Sequence, residues 1–237
     1  MSTRMLISLA TVAAAAAVVV PAFPGVAAPS GGCSYPPNKP VLTLTASSTT
    51  VVASQSLTVF GKFTQNNCGI SDASLSYQRR ALVNGKPSGT WHTMRTLTTN
   101  SNGSYSTTRR PLTNEQERTV FTHAGSFPTT VSNIVTIHVA EHISINPTAE
   151  SACRIHITGS NYPAKADRKL LIQNRGPSGH FNGWTTLWST TTGSGGSYST
   201  THTVACNKTY NLSLYTSADS TNTAGRSRTV FGIKSHH

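Results

Sequence analysis

Residues 91–108 read WHTMRTLTTNSNGSYSTT, and residues 184–201 read WTTLWSTTTGSGGSYSTT. Aligned without a gap at an offset of 93, they share 11 of 18 positions. The likeness continues outward with small changes of register. Leu75-Ser-Tyr-Gln78 matches Leu170-Leu-Ile-Gln173, and Gly61 matches Gly159. Pro87-Ser88-Gly89 matches Pro177-Ser178-Gly179, and Ser132-x-x-Val135 matches Ser227-x-x-Val230. The offset drifts between 90 and 98, as loops do when they gain and lose residues. A shared bias toward Ser, Thr and Gly would imitate GSYSTT. It explains neither the paired tryptophans nor the common order of the other segments. Solenoid repeats are much shorter than this period, so the pattern is that of a duplicated domain.

Each copy reads as short strands between turns. Leu57, Val59, Gly61 and Phe63 alternate with Ser56, Thr58, Phe60 and Lys62. Ala73, Leu75 and Tyr77 share one face, as do Val131, Val135, Ile137 and Val139. In copy two the same rhythm runs through Leu170 and Ile172, then Tyr210, Leu212 and Leu214, then Thr229, Phe231 and Ile233. A period of two with β-branched enrichment and Asn/Gly/Ser turns means strands. Asn100-Ser-Asn-Gly103 and Gly193-Ser-Gly-Gly196 have the composition of hairpin turns. About seven strands per copy, in roughly 100 residues, has the size of an immunoglobulin-like β-sandwich.

Leu57-Thr-Val-Phe-Gly61, Ser76-Tyr-Gln-Arg-Arg80, the Trp-Thr strand and Asn102-Gly-Ser-Tyr-Ser106 together resemble the bacterial Ig-like modules of secreted actinobacterial proteins. The resemblance covers residues 41–139 and, more weakly, 142–233. It implies a fold and leaves function open, because such modules serve as spacers, adhesins and enzyme appendages. The expected fold class is all-β: two tandem immunoglobulin-like β-sandwich domains behind a signal peptide. The boundaries are 1–28 for the signal, 29–140 and 141–237. Alternation through Val135, Ile137, Val139, Glu141, Ile143 and Ile145 leaves no flexible linker, so the pair is expected to form a stiff rod.

Composition fits this reading. Charged residues make up only 11% of the 237, about half the usual share. Long solvent-exposed helices would need more. Arg4, the apolar run Met5–Val20, and Pro21, Pro24 and Gly25 before Val26-Ala27-Ala28 have the layout of a secretory signal, with cleavage expected after Ala27. The apolar run is short for a ~30 Å hydrocarbon core, and nothing after residue 30 is apolar enough to span one. Cys33 lacks the preceding aliphatic residue of a lipid-modified cysteine. The chain therefore reads as soluble, exported and monomeric.

Four cysteines in an exported chain suggest two disulfides. Strand order favours Cys33–Cys68 and Cys153–Cys206, each within one domain. No Cys-x-x-Cys or paired-His spacing suggests zinc, and no metal or cofactor is expected. No catalytic set is expected either. Gly176-Pro-Ser-Gly-His180 is not a nucleophile elbow and matches the Lys86-Pro-Ser-Gly loop of copy one. Glu115 and Glu117, beside Arg118, read as solvated loop charges. His138 and His142, and the His236-His237 tail, read as surface histidines.

Two features point to a ligand. Met94 and Leu187 occupy one aligned position and are expected to face inward. That places Trp184 and Trp188, with counterparts Trp91 and Arg95, on the outer face. Exposed rings there would stack on sugars; the alternative is that they cover an edge strand or the junction. The net charge is +12 from 19 basic and 7 acidic residues, and removing Arg4 with the signal leaves +11. Local basic clusters are Arg79-Arg80, Arg109-Arg110, Arg168-Lys169 and Arg226 with Arg228. An evenly basic exported protein is drawn to polyanions, including cell-wall polysaccharide, and no specific nucleic-acid module is present. The expected role is a non-enzymatic binding or adhesion protein. A spacer acting through a protein partner, or a small enzyme or inhibitor, is the alternative.

Overall fold

The computed structural model describes residues 39–125, 127–176 and 183–236. The signal segment, Cys33, residues 177–182 and His237 lie outside them. Among the described residues every regular element is a strand. The first eleven are β1 (Val41–Leu42), β2 (Thr45–Ala46), β3 (Thr50–Val52), β4 (Leu57–Gln65), β5 (Cys68–Gly69), β6 (Ser74–Val83), β7 (Lys86–Thr98), β8 (Ser104–Arg109), β9 (Glu115–Phe121), β10 (Thr130–Val131) and β11 (Val135–Ala140). The second nine are β12 (His142–Ile143), β13 (Asn146–Glu150), β14 (Arg154–Tyr162), β15 (Lys169–Arg175), β16 (Trp184–Thr191), β17 (Ser197–Thr203), β18 (Thr209–Thr216), β19 (Gly225–Arg226) and β20 (Val230–Lys234).

They form two immunoglobulin-like β-sandwiches. In the first, β4 pairs with β1, β2, β5 and β8, facing a sheet ordered β3-β11-β9-β6-β7 with β10 beside β9. In the second, β14 pairs with β12, β13 and β17, facing a sheet ordered β16-β15-β18-β19 with β20 beside β18. The strand pieces outnumber the fourteen implied by sequence partly because edge strands are broken. Both β1 and β2 lie along β4, and both β12 and β13 lie along β14. Leu57, Val59 and Phe63 pack against Leu75, Tyr77, Phe121, Ile137 and Val139 in one core. Ile155, Ile157, Leu170, Ile172, Leu212 and Leu214 form the other. The two clusters share no residue.

The duplication is visible bond by bond. Tyr105 Oη donates to the Thr43 carbonyl, and Tyr198 Oη donates to the Ser144 carbonyl. Each tyrosine lies against the glycine paired with it, Gly61 or Gly159. A β-carbon on either glycine would collide with that carbonyl and the phenol. Ser132 Oγ accepts from Thr119 N–H at 2.9 Å, and Ser227 Oγ accepts from Leu214 N–H at 2.9 Å. Gly103 and Gly196 turn with φ of +75° and +74°, a region open to glycine. Their N–H groups donate to Asn100 and Gly193 carbonyls, both at 2.9 Å. These turns are not sheet hairpins, as their composition suggested. They are arches that carry the chain from one sheet to the other, since β7 pairs with β6 while β8 pairs with β4.

Cys153, just before β14, and Cys206, between β17 and β18, are joined with a Cα–Cα distance of 4.9 Å. Cys68 is not a free thiol, but Cys33 is outside the described residues, and with it the Cys33–Cys68 pairing. Glu141 alone separates β11 from β12. It continues the buried alternation with no exposed surface of its own. Loop 217–224 of the second sandwich caps the first. Asn84 N–H donates to Ser220 O and Asn114 N–H to Thr221 O, both at 2.7 Å. Asn222 Nδ2 donates to Leu112 O at 2.8 Å and Val139 O at 3.1 Å.

Candidate functional site

On β6 and β9 the inward positions carry Leu75 and Tyr77, then Glu115, Glu117 and Thr119, all buried. The outward positions carry Gln78 and Arg80, then Gln116 and Arg118. Antiparallel register sets Gln78 opposite Arg118 and Arg80 opposite Gln116, a checkerboard of guanidinium and amide. Arg80 Nε donates to Gln116 Oε1 and Arg118 Nε to Gln78 Oε1, both at 2.9 Å. Gln78 Nε2 reaches Thr93 Oγ1 at 3.3 Å.

Trp91, on neighbouring β7, completes the face. The Arg80 and Arg118 guanidinium carbons lie 4.5 and 4.2 Å from its ring centroid. Such contacts hold a guanidinium flat and partly dehydrated while leaving N–H groups for a ligand. Among the described residues neither arginine has a carboxylate within ion-pair distance. Burial and then the Arg80 charge push the Arg118 pKa below its ordinary value. An anion set between the two guanidinium groups would relieve that repulsion.

The second sandwich repeats the theme with different partners. Arg226, from β19, sits 4.4 Å from the Trp184 ring and 5.2 Å from the Tyr215 ring. Thus Trp91 and Trp184, aligned in sequence, both back an arginine on an outer sheet face.

The other two expected members do not share that face. On β7, Tyr77 pairs with Arg95 and Gln78 with Thr93, so Met94 is an extra residue. On β16, Ile172 pairs with Trp188 and Gln173 with Thr186, so Leu187 is extra. This one-residue bulge, at the same place in both copies, reverses the alternation. Trp188 therefore packs against the second core and stacks on His202 at 4.6 Å. Arg95 reaches across to Thr107 Oγ1 at 2.8 Å. Met94 is 43% exposed, not inward, whereas its counterpart Leu187 does pack against the second core, as expected. Simple alternation counted through the bulge and placed all three residues on the wrong side.

The basic clusters also divide. Arg109 is not surface charge. It binds Glu115 and, at 3.0 Å, Glu117, both essentially without exposure. Glu115 and Glu117 are thus buried strand residues, not solvated loop charges, because Arg109 neutralises them from the facing sheet. Burial still pushes the Glu117 pKa up, with Arg109 and Tyr77 pulling it down. Arg79 lies 3.4 Å from Glu115. Arg168 binds Glu141 at 3.1 Å in the junction. Arg110, Lys169 and Arg228 are exposed. Sequence reading missed Gln78, Gln116, Arg118 and Tyr215. The alternation Gln116-x-Arg118 was the signal for the face, obscured by the adjoining acids.

His156 Nε2 lies 2.8 Å from Ser199 Oγ, and its Nδ1 lies 3.8 Å from Glu150. The second distance is beyond hydrogen-bond reach, so this is a cross-strand contact and not a catalytic triad. No helix among the described residues is long and apolar enough to cross a membrane.

No protein-family model matches the chain, and no curated protein does. Similar solved structures include the tetra-tandem repeat in the extending region of a large adhesion protein, with 14% identity and a TM-score of 0.34 over 81% of this chain and 49% of that one. The D0-D1 domain of intimin matches at 15% identity and a TM-score of 0.32, over 82% of this chain and 99% of that one. A DUF4785-family protein from Legionella pneumophila matches at 9% identity and a TM-score of 0.41, over 73% and 50%.

Proposed function

We propose that this chain is an exported, non-enzymatic binding protein that holds anionic polymers of the cell envelope on its tryptophan-backed arginine faces. In this reading residues 1–28 are removed, units 29–140 and 141–237 act as one monomer, and the protein is retained at the wall. The observation that carries it is the pair Arg80 and Arg118 on Trp91, with no carboxylate among the described residues within ion-pair distance of either. Ring-backed guanidinium groups suit the carboxylates and phosphates of acidic or teichoic-type polysaccharide. The Gln and Thr side chains around them suit hydroxyls.

Retention on purified cell wall, chitin and cellulose, at low and high salt, tests this reading. Binding to wall should fall with salt and with Trp91→Ala, and further with Arg80→Gln combined with Arg118→Gln. No retention on any of the three polymers would remove it. The second reading is a spacer that acts through a protein partner. The capped junction supports it, since loop 217–224 of the second sandwich hydrogen-bonds to Asn84, Leu112, Asn114 and Val139 of the first.

A further inference from the structure

The sheet built on β4 carries a small grid of side chains on its outer face. Phe60 stands between its two ladder partners, Thr45 of β2 and Ser106 of β8. Two residues further along β4, Lys62 lies opposite Ser104 of β8. On its other side the Thr43 N–H donates to the Lys62 carbonyl at 2.9 Å. Phe60 is 44% exposed, and Thr43, Thr45, Lys62 and Ser106 are exposed with it. Asn100, on the arch between β7 and β8, closes one end. Its Oδ1 accepts from the Ser104 and Asn102 N–H groups at 2.9 and 3.2 Å, which leaves its Nδ2 to donate elsewhere. These side chains line an open cleft of about 540 Å³, the size of a small-ligand site. One apolar ring is thus set among hydroxyls, beside one ammonium. No acidic residue lines the cleft. Among the described residues no carboxylate lies within ion-pair distance of Lys62.

We infer that this cleft binds a pyranose carrying a carboxylate, the hexuronic acid unit of an acidic polysaccharide. The Phe60 ring takes the apolar face of the sugar. Residues two apart on a strand stand about 7 Å from one another. A sugar laid over Phe60 therefore brings a carboxylate on its rim to the Lys62 ammonium, which bonds it with the help of charge. The sugar hydroxyls meet Thr45 and Ser106 on the flanks and Asn100 at the end. A bare anion would leave the ring unused, and a neutral sugar would leave the ammonium unused.

The second sandwich keeps the frame of this cleft without its two recognition groups. Asn146, Thr158 and Ser199 form the first row there. In the second row Ser160 lies opposite Ser197, and the Ser144 N–H donates to the Ser160 carbonyl at 2.9 Å, as Thr43 does to Lys62. The serines of β8 recur on β17, but Thr158 replaces the ring and Ser160 replaces the ammonium.

The inference does not rest on the tryptophan-backed arginines, which belong to the opposite sheet. Its test is a titration of the full secreted protein, labelled with nitrogen-15, with trigalacturonic acid and separately with the neutral galactose trimer, at physiological salt. The acidic trimer should shift the backbone N–H signals of Phe60, Lys62, Ser104 and Ser106. Phe60→Thr with Lys62→Ser gives the cleft the second sandwich's residues at two exposed positions, and should weaken binding there about tenfold or more. Lys62→Ser alone should bring the acidic and neutral trimers to equal affinity. Thr158→Phe with Ser160→Lys should create a second set of shifts on β14 and β17. The Trp91 indole N–H signal reports the arginine face separately, so each reading can fail without the other. Absence of shifts on the Phe60 face, equal binding of the neutral trimer by the wild type, or undiminished binding by the double variant would each overturn the inference.

Discussion

The two sandwiches fill one and the same flank in opposite ways. The shared bulge, the Ser132 and Ser227 bonds and the strand ladders equate Arg95 with Trp188, Arg109 with His202, Glu115 with Tyr210, and Glu117 with Leu212. In the first sandwich Arg109, Glu115 and Glu117 form a buried cluster of ions reaching between the sheets, and the exposed Arg95 bonds Thr107 on the same strand as Arg109. In the second they form a stacked aromatic pair over an apolar strand, with Cys153–Cys206 close by. The backbone frame is indifferent to which solution fills it. What it requires is that the gap between β7 and β8, or β16 and β17, be bridged by something.

The comparison is open to direct attack, and the largest effect should come from Arg109→Ala. It leaves Glu115 and Glu117 buried without their main counter-charge and should cost about 3–5 kcal/mol in denaturant unfolding. Exchanging all four residues for their second-sandwich counterparts should restore most of that loss. If the exchange is as damaging as Arg109→Ala, the two flanks are not equivalent. Replacing Cys153 and Cys206 together by Ala should cost the second sandwich about 2–4 kcal/mol and leave the first unchanged. Tyr105→Phe and Tyr198→Phe remove matching hydrogen bonds and should each cost about 1 kcal/mol. Unequal losses would show that the frame itself has diverged.

Acid should separate the halves more gently. Burial raises Asp219, but Lys165 and the Thr221 and Asn222 N–H groups outweigh it and hold its carboxyl well below the usual range. Its contribution is therefore present above the unfolded value of about 4 and lost as pH falls toward the folded one. Glu117 has the opposite sign. Its raised folded pKa favours the folded state below the unfolded value, and that advantage is lost as pH rises through the folded one. Hydrogen exchange from about pH 7 to about pH 3 should show protection falling at Thr221 and Asn222. Protection should hold along β9. A fall in both places together would contradict these assignments.

Much of this was legible beforehand. Alternation around Leu57–Phe63 and Leu75–Tyr77, and the repeat itself, disclose the sandwiches because burial on one face leaves a period of two. The pairing of Cys153 with Cys206 follows from strand order. The site was legible only in part. Trp91 and Trp184 were visible through their alignment, but a bulge leaves no mark in composition, so Trp188 and Arg95 were assigned to the wrong face. Glu115 and Glu117 misled for a different reason. An inward acid looks like a loop residue until its partner, on another strand and in the other sheet, is known.

The extra residue at Met94 and Leu187 also has a history. The two segments that carry it still share 11 of 18 positions, and the insertion falls at the same place in both. The irregularity therefore belonged to the lone ancestral module, before its gene was copied. Single-module descendants of that ancestor should keep it, and a search that allows one skipped position after the tryptophan will find kin that a rigid every-other-residue template overlooks.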